Sequence, residues 1–295
     1  MKHCRTVCVR MLRMSKNAVL ILALTMLSIR SPALLAEEQV SKTITATDIE
    51  QSLPSGQEIA ERINARDEGV AVTRTLTMKM IKSNGKSRTR VTRGYRKYYG
   101  DEKRTVLFYQ SPRNIKDTAF LTIDYSEADQ DDDQWIYLPA MRKVRRISAA
   151  DRGDYFLGTD FTYEDIKKET KVEINDYTRR TLREEIFEGH RCYVVESIPV
   201  DDETAKELGH SRTLSWVDAD IWIVRKAEFW DIQGNLLKST HIKDIEKIQG
   251  IWTPHLMEVE NHKTGHKTVF SFSDIDYESP VPDHVFTVQT LERGI

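Results

Sequence analysis

The chain has 295 residues, of which 39% are hydrophobic and 31% charged, and its formal net charge is −2. A chain of this length can bury a core large enough to fold without cross-links. The lack of a basic excess argues against nucleic acid and against anionic lipid surfaces as partners, although a local basic patch such as Arg142 to Arg146 can still act alone.

The first 36 residues have the pattern of a secretory signal peptide. Cations between Lys2 and Lys16 precede an apolar stretch at 18–27 and a small-residue cleavage site that ends at Ala36. Ten apolar residues are too few to span a bilayer, which needs about 20. Cleavage would remove six cations and two of the three cysteines, leaving Cys192 and a net charge of −8. We therefore expect a soluble secreted protein without a disulfide or a membrane span.

The polar residues 37–54 predict a flexible N-terminal arm. A capping box of Ser55 and Glu58 then predicts a short amphipathic helix before Gly69. From Val70 the apolar period changes to two, and a turn at Asn84-Gly85 leads into a return strand over 88–99. This pattern predicts a β-hairpin after the first helix.

Further strands are predicted at regular spacing, over 106–110, 119–125, 134–138, 172–174, 191–198, 213–217, 221–230, 236–242, 253–261 and 268–275. About a dozen strands with few helices predict a mainly β, α+β protein with a large antiparallel sheet, built as a single domain over 55–295. Several strands are apolar on both faces, so the sheet needs two covers. We expect the N-terminal helix to form one and a bound apolar ligand to form the other.

The stretch from Gln134 to Ile166 organises the chain. It begins with a strand that Pro139 ends, continues through a basic segment, and then carries bulky apolar residues and carboxylates in a long connection. Long connections with large apolar side chains usually cover something.

The same stretch carries a family resemblance. WIYLPAMRKVRRI followed by DRGDYFLGTDFTYEDI, and later WDIQGN, IWTPHLMEVENHKTGHKT and VFTVQTLER, resemble the LolA-like outer-membrane lipoprotein-sorting proteins. The resemblance implies a periplasmic location, an antiparallel sheet curved into a half-barrel with helical covers, and hydrophobic cargo. It also implies an inner-membrane partner, either an RND-type or a lipoprotein-releasing transporter. The resemblance itself assigns no residue of this chain to the cavity.

A set of aromatic and flexible apolar residues forms the candidate ligand cavity, since such side chains adapt to varied acyl chains. Ordinary core packing is the commoner role for any one of these residues, and the set as a whole favours a cavity more than its single members do. The candidates are Met78, Met80, Trp135, Tyr137, Phe156, Leu157, Phe161, Trp216, Trp222 and Trp230.

The basic cluster consists of Arg142, Lys143, Arg145 and Arg146. It is a candidate contact for lipid phosphate or for an acidic partner, because arginine binds phosphates and carboxylates in bidentate fashion. The alternative is a solvated ion network with Asp151, Asp154 and Asp160.

Enzymatic signals are weak. His255, His262 and His266 lie near Glu258 and Glu260, but the spacing matches no zinc motif, and no nucleophile elbow or glycine-rich phosphate loop is present. Turn and ion-pair roles also explain the carboxylate pairs Asp218/Asp220 and Asp151/Asp154. We expect no catalytic residue, metal or cofactor.

The sequence thus favours a periplasmic carrier for lipid or acylated protein. An envelope-sensing module similar to the regulator RseB is the alternative from a second class, and a periplasmic hydrolase is a third.

Overall fold

A computed structural model describes residues 53–125, 130 and 132–295. The predicted signal peptide (1–36) and nearly all of the predicted arm (37–54) lie outside the described residues. In the part that is described, no helix is both long and apolar enough to cross a membrane.

The first six strands form one antiparallel meander. Alternating apolar residues and turn glycines define its elements, such as Gly85 with φ of 80° in the first hairpin. The strands are β1 (Ala71–Ile81), β2 (Ser87–Tyr99), β3 (Glu102–Ser111), β4 (Ala119–Asp124), β5 (Asp133–Leu138) and β6 (Lys143–Arg146).

The other seven strands form a second meander. They are β7 (Tyr177–Phe187), β8 (His190–Pro199), β9 (Arg212–Asp218), β10 (Val224–Trp230), β11 (Leu236–Ile248), β12 (Ile251–Asn261) and β13 (His266–Asp276). The α-helices of the described residues are α1 (Gly56–Ala65), α2 (Tyr163–Lys168), α3 (Asp202–Leu208) and α4 (Val288–Arg293).

The two meanders join into one sheet through β1 and β13. The strand order is β6-β5-β4-β3-β2-β1-β13-β12-β11-β10-β9-β8-β7, with β6 and β7 as the edges. Because these edge strands are consecutive in the chain, residues 147–176 must cross the whole sheet. We call this segment, which contains α2, the strap.

The strap and α1 cover the same face of the sheet, which we call the inner face. Phe161 of the strap stacks on Phe270 of β13 with ring centroids 4.1 Å apart, and Phe156 contacts Phe120 of β4 at 4.9 Å. Ile59 and Ile63 of α1 pack against Val195 and Val217 of the second meander. The outer face of the first meander is covered by the C-terminal segment, through Val281, Val285, Phe286 and Leu291.

These features confirm the predicted fold class of a large open antiparallel sheet with few helices. The capping box at Ser55 is present in both directions, and α1 covers the sheet as expected. The second cover, expected to be a ligand, consists instead of the strap on the inner face and the C-terminal segment on the outer face.

Two predicted strands need correction. Residues 172–174 form no strand and belong to the strap, since Val172 is hydrogen-bonded to Asn64 of α1 rather than to a ladder. The strand predicted to start at Ile221 starts at Val224, because Trp222 adopts a positive φ of 55° in a turn. The sequence reading also missed the edge strands β6 and β7.

Candidate ligand-binding site

A cavity of about 170 Å³ lies on the inner face, beneath the C-terminal half of the strap. Its floor is formed by strands of the second meander and its cover by α2 and the residues that follow. The floor residues on β8 to β12 include Ser197, Thr213, Ser215, Val224, Ala227, Phe229, Thr240, Ile242 and Met257, and the polar residues Tyr177, Arg179 and His241 also line the cavity.

Small side chains in one cross-strand row create this space. Ser215 pairs with Ala227, which pairs with Thr240 on the next strand, so three small residues lie side by side on the inner face. Val195 continues the row beneath α1 on one side, and Val259 continues it into the core on the other. A sheet surface lined by small residues under a covering segment leaves volume that larger residues would fill.

The cover over the cavity is charged, whereas the N-terminal half of the strap is aromatic. Asp165 of α2 contacts the amino group of Lys238 at 2.5 Å, and Lys238 is only 3% exposed. Lys168 pairs with Asp124 at 2.9 Å and with Glu173 at 2.7 Å. The pairs with Lys238 and Asp124 fix the strap to the sheet, and a space remains between the strap and the floor.

Glu164 adds a buried carboxyl group beside the cavity. Burial raises the pKa of Glu164, although Lys167 and Lys168 lie close and oppose the shift. The nearest cation is Lys167, whose amino group is 2.9 Å from the carboxylate. A carboxyl group with a raised pKa can hold its proton and act as a hydrogen-bond donor.

A second ionic cluster fixes the end of the strap to β2. Glu68 accepts hydrogen bonds from Arg66, at 2.6 Å, and from the hydroxyl of Tyr98, at 2.7 Å, and it contacts Arg96 and Thr170. Burial opposes ionisation of Glu68, but the charges of Arg96 and Arg66 outweigh it and hold the pKa of this carboxyl well below its usual range. Glu169 of the strap joins the cluster through Arg74 and Arg96.

Five of the predicted cavity residues lie on the inner face or in the strap above it. Phe161 lines the cavity. Met78 and Phe156 are fully buried in the adjacent core, and Leu157 packs against that core at a positive φ of 48°. Met80 lies farther along β1, beside a groove at the end of the sheet.

The other predicted residues are distributed elsewhere. Trp135 and Tyr137 lie on the outer face against the C-terminal segment, and Trp216 packs on the outer face of the second meander. The Trp230 side chain is covered by the guanidinium of Arg212 at 4.5 Å. Trp222 stacks on Tyr193 beside α1, which places it at the border of the inner face. The structure therefore does not bring the five tryptophans of the chain together.

The sequence reading missed the residues that form the floor of the cavity. Ser215, Ala227 and Thr240 are small or polar, and no local pattern marks a small residue as facing a void. Their alignment depends on strand register, which hairpin signals indicate only approximately.

The basic cluster lies at the tip of the β5–β6 hairpin and along edge strand β6. Arg146 pairs with Asp133 of the neighbouring strand. Arg142, Lys143 and Arg145 are exposed, and no carboxylate of the described residues lies within 4.0 Å of them. The proposed pairing with Asp160 does not form, because Asp160 contacts His266 and Thr268.

The histidines considered as metal ligands have separate partners. His255 contacts Glu246 at 3.1 Å, His262 contacts Ser239 at 3.1 Å, and His266 contacts Asp160 at 2.7 Å. Across 53–125 and 132–295, no three histidine, cysteine or carboxylate side chains come together as a metal site. Cys192 is buried, and burial raises the pKa of its thiol to about 11, so the reactive thiolate is disfavoured.

Comparison with known proteins supports the fold and the family. A family model described as an uncharacterized protein matches residues 101–293. A comparison with curated proteins gave no match. The solved structures include an outer-membrane lipoprotein-sorting protein domain from Vibrio parahaemolyticus, with 32% identity and a TM-score of 0.73 over 81% of this chain and 98% of that one.

Two further structures agree. A DUF1329 family protein from Desulfovibrio piger has 30% identity and a TM-score of 0.73 over 80% of this chain and 97% of that one. A LolA superfamily protein from Nitrosomonas europaea has 21% identity and a TM-score of 0.61 over 80% of this chain and 99% of that one, and so shares the fold. The chain therefore belongs to the LolA-like outer-membrane lipoprotein-sorting proteins, the family indicated by its segments after Gln134.

Proposed function

We propose that this protein is a periplasmic carrier that shelters a lipid, or the acyl chains of a lipoprotein, on the inner face of its sheet. The observation that carries the proposal is the cavity beneath the strap, with its apolar floor of Val224, Ala227, Phe229, Ile242 and Met257. The lipoprotein-sorting description of the Vibrio relative supports an acylated cargo. The signal-like residues 1–36 support export to the periplasm.

The physical need for such a carrier follows from the cost of exposing acyl chains to water. Each methylene transferred from water to an apolar site contributes about 0.8 kcal/mol. A long acyl chain therefore does not cross an aqueous compartment alone at useful concentration. Binding and transfer need no catalytic group, so the proposed role is non-enzymatic.

The size of the cavity indicates how loading would occur. Its volume of about 170 Å³ is below the roughly 300–1,000 Å³ typical of ligand pockets. Loading therefore requires the strap to move away from the floor. The cover of the cavity is held mainly by ion pairs such as Lys238–Asp165. Water can solvate these charges when the cover opens, whereas exposing the aromatic half of the strap to water would be unfavourable. An inner-membrane transporter of the RND or lipoprotein-releasing type would supply the cargo.

The first test is native mass spectrometry of the mature protein purified gently from its own periplasm, followed by solvent extraction and lipid identification. We expect about one lipid or acylated peptide per protein. An empty protein that also fails to take up a fluorescent fatty acid would contradict the carrier role.

A pair of substitutions locates the bound chain. Ser215→Phe places a ring on the floor of the cavity and should reduce uptake of the fluorescent fatty acid at least tenfold. Ser239→Phe makes the same change on the outer face, because Ser239 pairs with Glu228, the residue after Ala227. Equal uptake by the two variants would show that the cargo binds elsewhere.

A further inference from the structure

Three hairpin tips of the first meander lie at the same end of the sheet. In a meander, successive connections alternate between the two ends, so the β1–β2, β3–β4 and β5–β6 turns share one end. We define the basic end as these three tips, residues 82–88, 112–118 and 139–145. Six adjacent strands at about 4.8 Å spacing make this end roughly 24 Å wide.

The charge of the basic end is nearly all of one sign. Its tips carry eight exposed cations and one carboxylate, Asp117. The cations are Lys82, Lys86, Arg88, Arg113, Lys116, Arg142, Lys143 and Arg145. Among the described residues, no carboxylate lies within 4.0 Å of any of these eight, whereas most cations elsewhere in the described sheet have such a partner.

The described carboxylates near the other end of this meander are mostly paired. Glu102 forms an ion pair with Arg104, Asp124 with Lys103 and Lys168, and Asp132 with Lys167. The unpaired cations of the described first meander are therefore concentrated at the basic end, and such a concentration of charge attracts an oppositely charged surface.

Two local features of the basic end fit phosphate-bearing amphiphiles. Met141 is 54% exposed at the β5–β6 tip, directly before Arg142 and Lys143. A groove of about 300 Å³ at the β1–β2 tip is lined by Met80 and by the cations Lys82, Lys86, Arg88 and Arg90. Apolar side chains among cations are typical of surfaces that bind at the headgroup region of a membrane.

We propose that the basic end docks on an anionic phospholipid surface, with Met141 entering the headgroup region. A lipid surface fits better than an acidic protein because the cations are on long side chains of three separate hairpins, and the groove at the β1–β2 tip includes cations of only one of them. That distribution matches a diffuse field of phosphates. The proposal extends beyond cargo binding, since it concerns the membrane itself and holds whether or not the cavity is occupied.

Binding of the mature protein to vesicles tests this docking. We expect association with vesicles of phosphatidylglycerol and phosphatidylethanolamine, little association with phosphatidylcholine vesicles, and a decrease as salt rises from 50 to 500 mM, because salt screens exposed charges. Binding that ignores vesicle charge or salt would overturn the proposal.

A matched pair of variants assigns the surface. The triple variant Arg142→Gln, Lys143→Gln, Arg145→Gln should bind anionic vesicles about 100-fold more weakly, taking about fivefold for each cation. The control Arg180→Gln, Arg183→Gln, Lys247→Gln changes the net charge equally at exposed positions outside the basic end and should bind as the unmodified protein does. All six sites are exposed, so circular dichroism and melting temperature should confirm that both variants fold.

Two outcomes would contradict membrane docking. Equal vesicle binding by the two triple variants would show that general charge, not the basic end, is responsible. The triple variant at Arg142, Lys143 and Arg145 could still bind vesicles but no longer crosslink to an inner-membrane protein. That result would assign the basic end to an acidic protein partner. The lipid content of the cavity, measured separately by native mass spectrometry, keeps this test independent of the carrier role.

Discussion

His210 shows how a buried side chain makes the stability of this protein depend on pH. Its Nδ1–H donates to the Leu208 carbonyl at 3.1 Å, and its Nε2 accepts from the Tyr177 hydroxyl at 2.9 Å. Burial and the nearby charge of Lys238 lower the pKa of His210 from 6.5 to about 4, although Asp165 opposes the shift. The imidazole is therefore neutral in the folded protein at pH 5, while an unfolded chain would bind a proton.

We predict that unfolding becomes easier as the pH falls from about 6.5 to about 4. In this window the unfolded state binds more protons, so acidification favours it, and the contribution of His210 reaches about 3 kcal/mol by pH 4. Above pH 6.5 the imidazole is neutral in both the folded and the unfolded state, so His210 adds nothing further to the free energy of unfolding. The measurement is urea denaturation at half-unit pH steps.

Variants separate His210 from the other titrating groups. His210→Gln should remove most of the roughly 3 kcal/mol by which the free energy of unfolding falls between pH 6.5 and pH 4. This holds whatever the substitution does to the stability at neutral pH. Gln233→Ala changes an exposed residue that does not titrate and should leave the slope unchanged. A slope that is the same in both variants would exclude His210 as the source.

For single residues, contacts between near neighbours in the sequence could be predicted, whereas contacts between distant residues could not. Ser55 and Glu58 are three residues apart, so their capping box could be predicted and is present. Glu68 contacts Arg96 and Thr170, which are 28 and 102 residues away in the sequence. Such partners are determined by the folded arrangement of strands, and no short-range pattern encodes them.

Among the elements, the strap has the most direct link to the proposed carrier function. Its aromatic half is packed into the core, but its charged half depends on contacts such as Asp165 with Lys238. Removing one partner of a buried ion pair leaves an uncompensated charge and typically costs 3–5 kcal/mol. A substitution that removes one partner should therefore detach the charged half of the strap before the aromatic half.

We predict that Lys238→Met accelerates hydrogen exchange in peptides covering 163–173 by at least tenfold. Peptides from β2 and β3 should keep their protection, because Lys238 does not contact them. Lys267→Met breaks an exposed ion pair with Glu260 and is the control, with little change expected. Exchange that rises uniformly over the chain in Lys238→Met would indicate global destabilisation rather than release of the strap.

The sequence predicted the long central strands better than the edges. Strands such as β12 and β13 alternate apolar and polar residues, and their hairpin is marked by Thr264-Gly265. The edge strands β6 and β7 are short or rich in charges, with KVRR in β6 and TRRTLREE in β7. Charged edges hinder pairing with other chains, and the same charges conceal the strand pattern.

For the whole molecule, the sheet order makes the two meanders interdependent. They share the β1–β13 ladder of eight residue pairs, and the strap places Phe156 against β4 and Phe161 against β13. The strap therefore covers part of the inner face of both meanders, beside the part of the second meander that α1 covers. This arrangement is the physical basis for the expectation of a single domain over 55–295.

We predict that the two meanders unfold in one cooperative transition. Hydrogen exchange followed by mass spectrometry at increasing urea should give the same midpoint for peptides from β3 and from β8. Phe120→Ala, which removes a fully buried ring from the first meander, should destabilise the protein by about 3–5 kcal/mol. Because the halves are coupled, this substitution should shift the midpoint of β8 peptides as much as that of β3 peptides. A shift confined to the first meander would show two separately folding units joined by the strap.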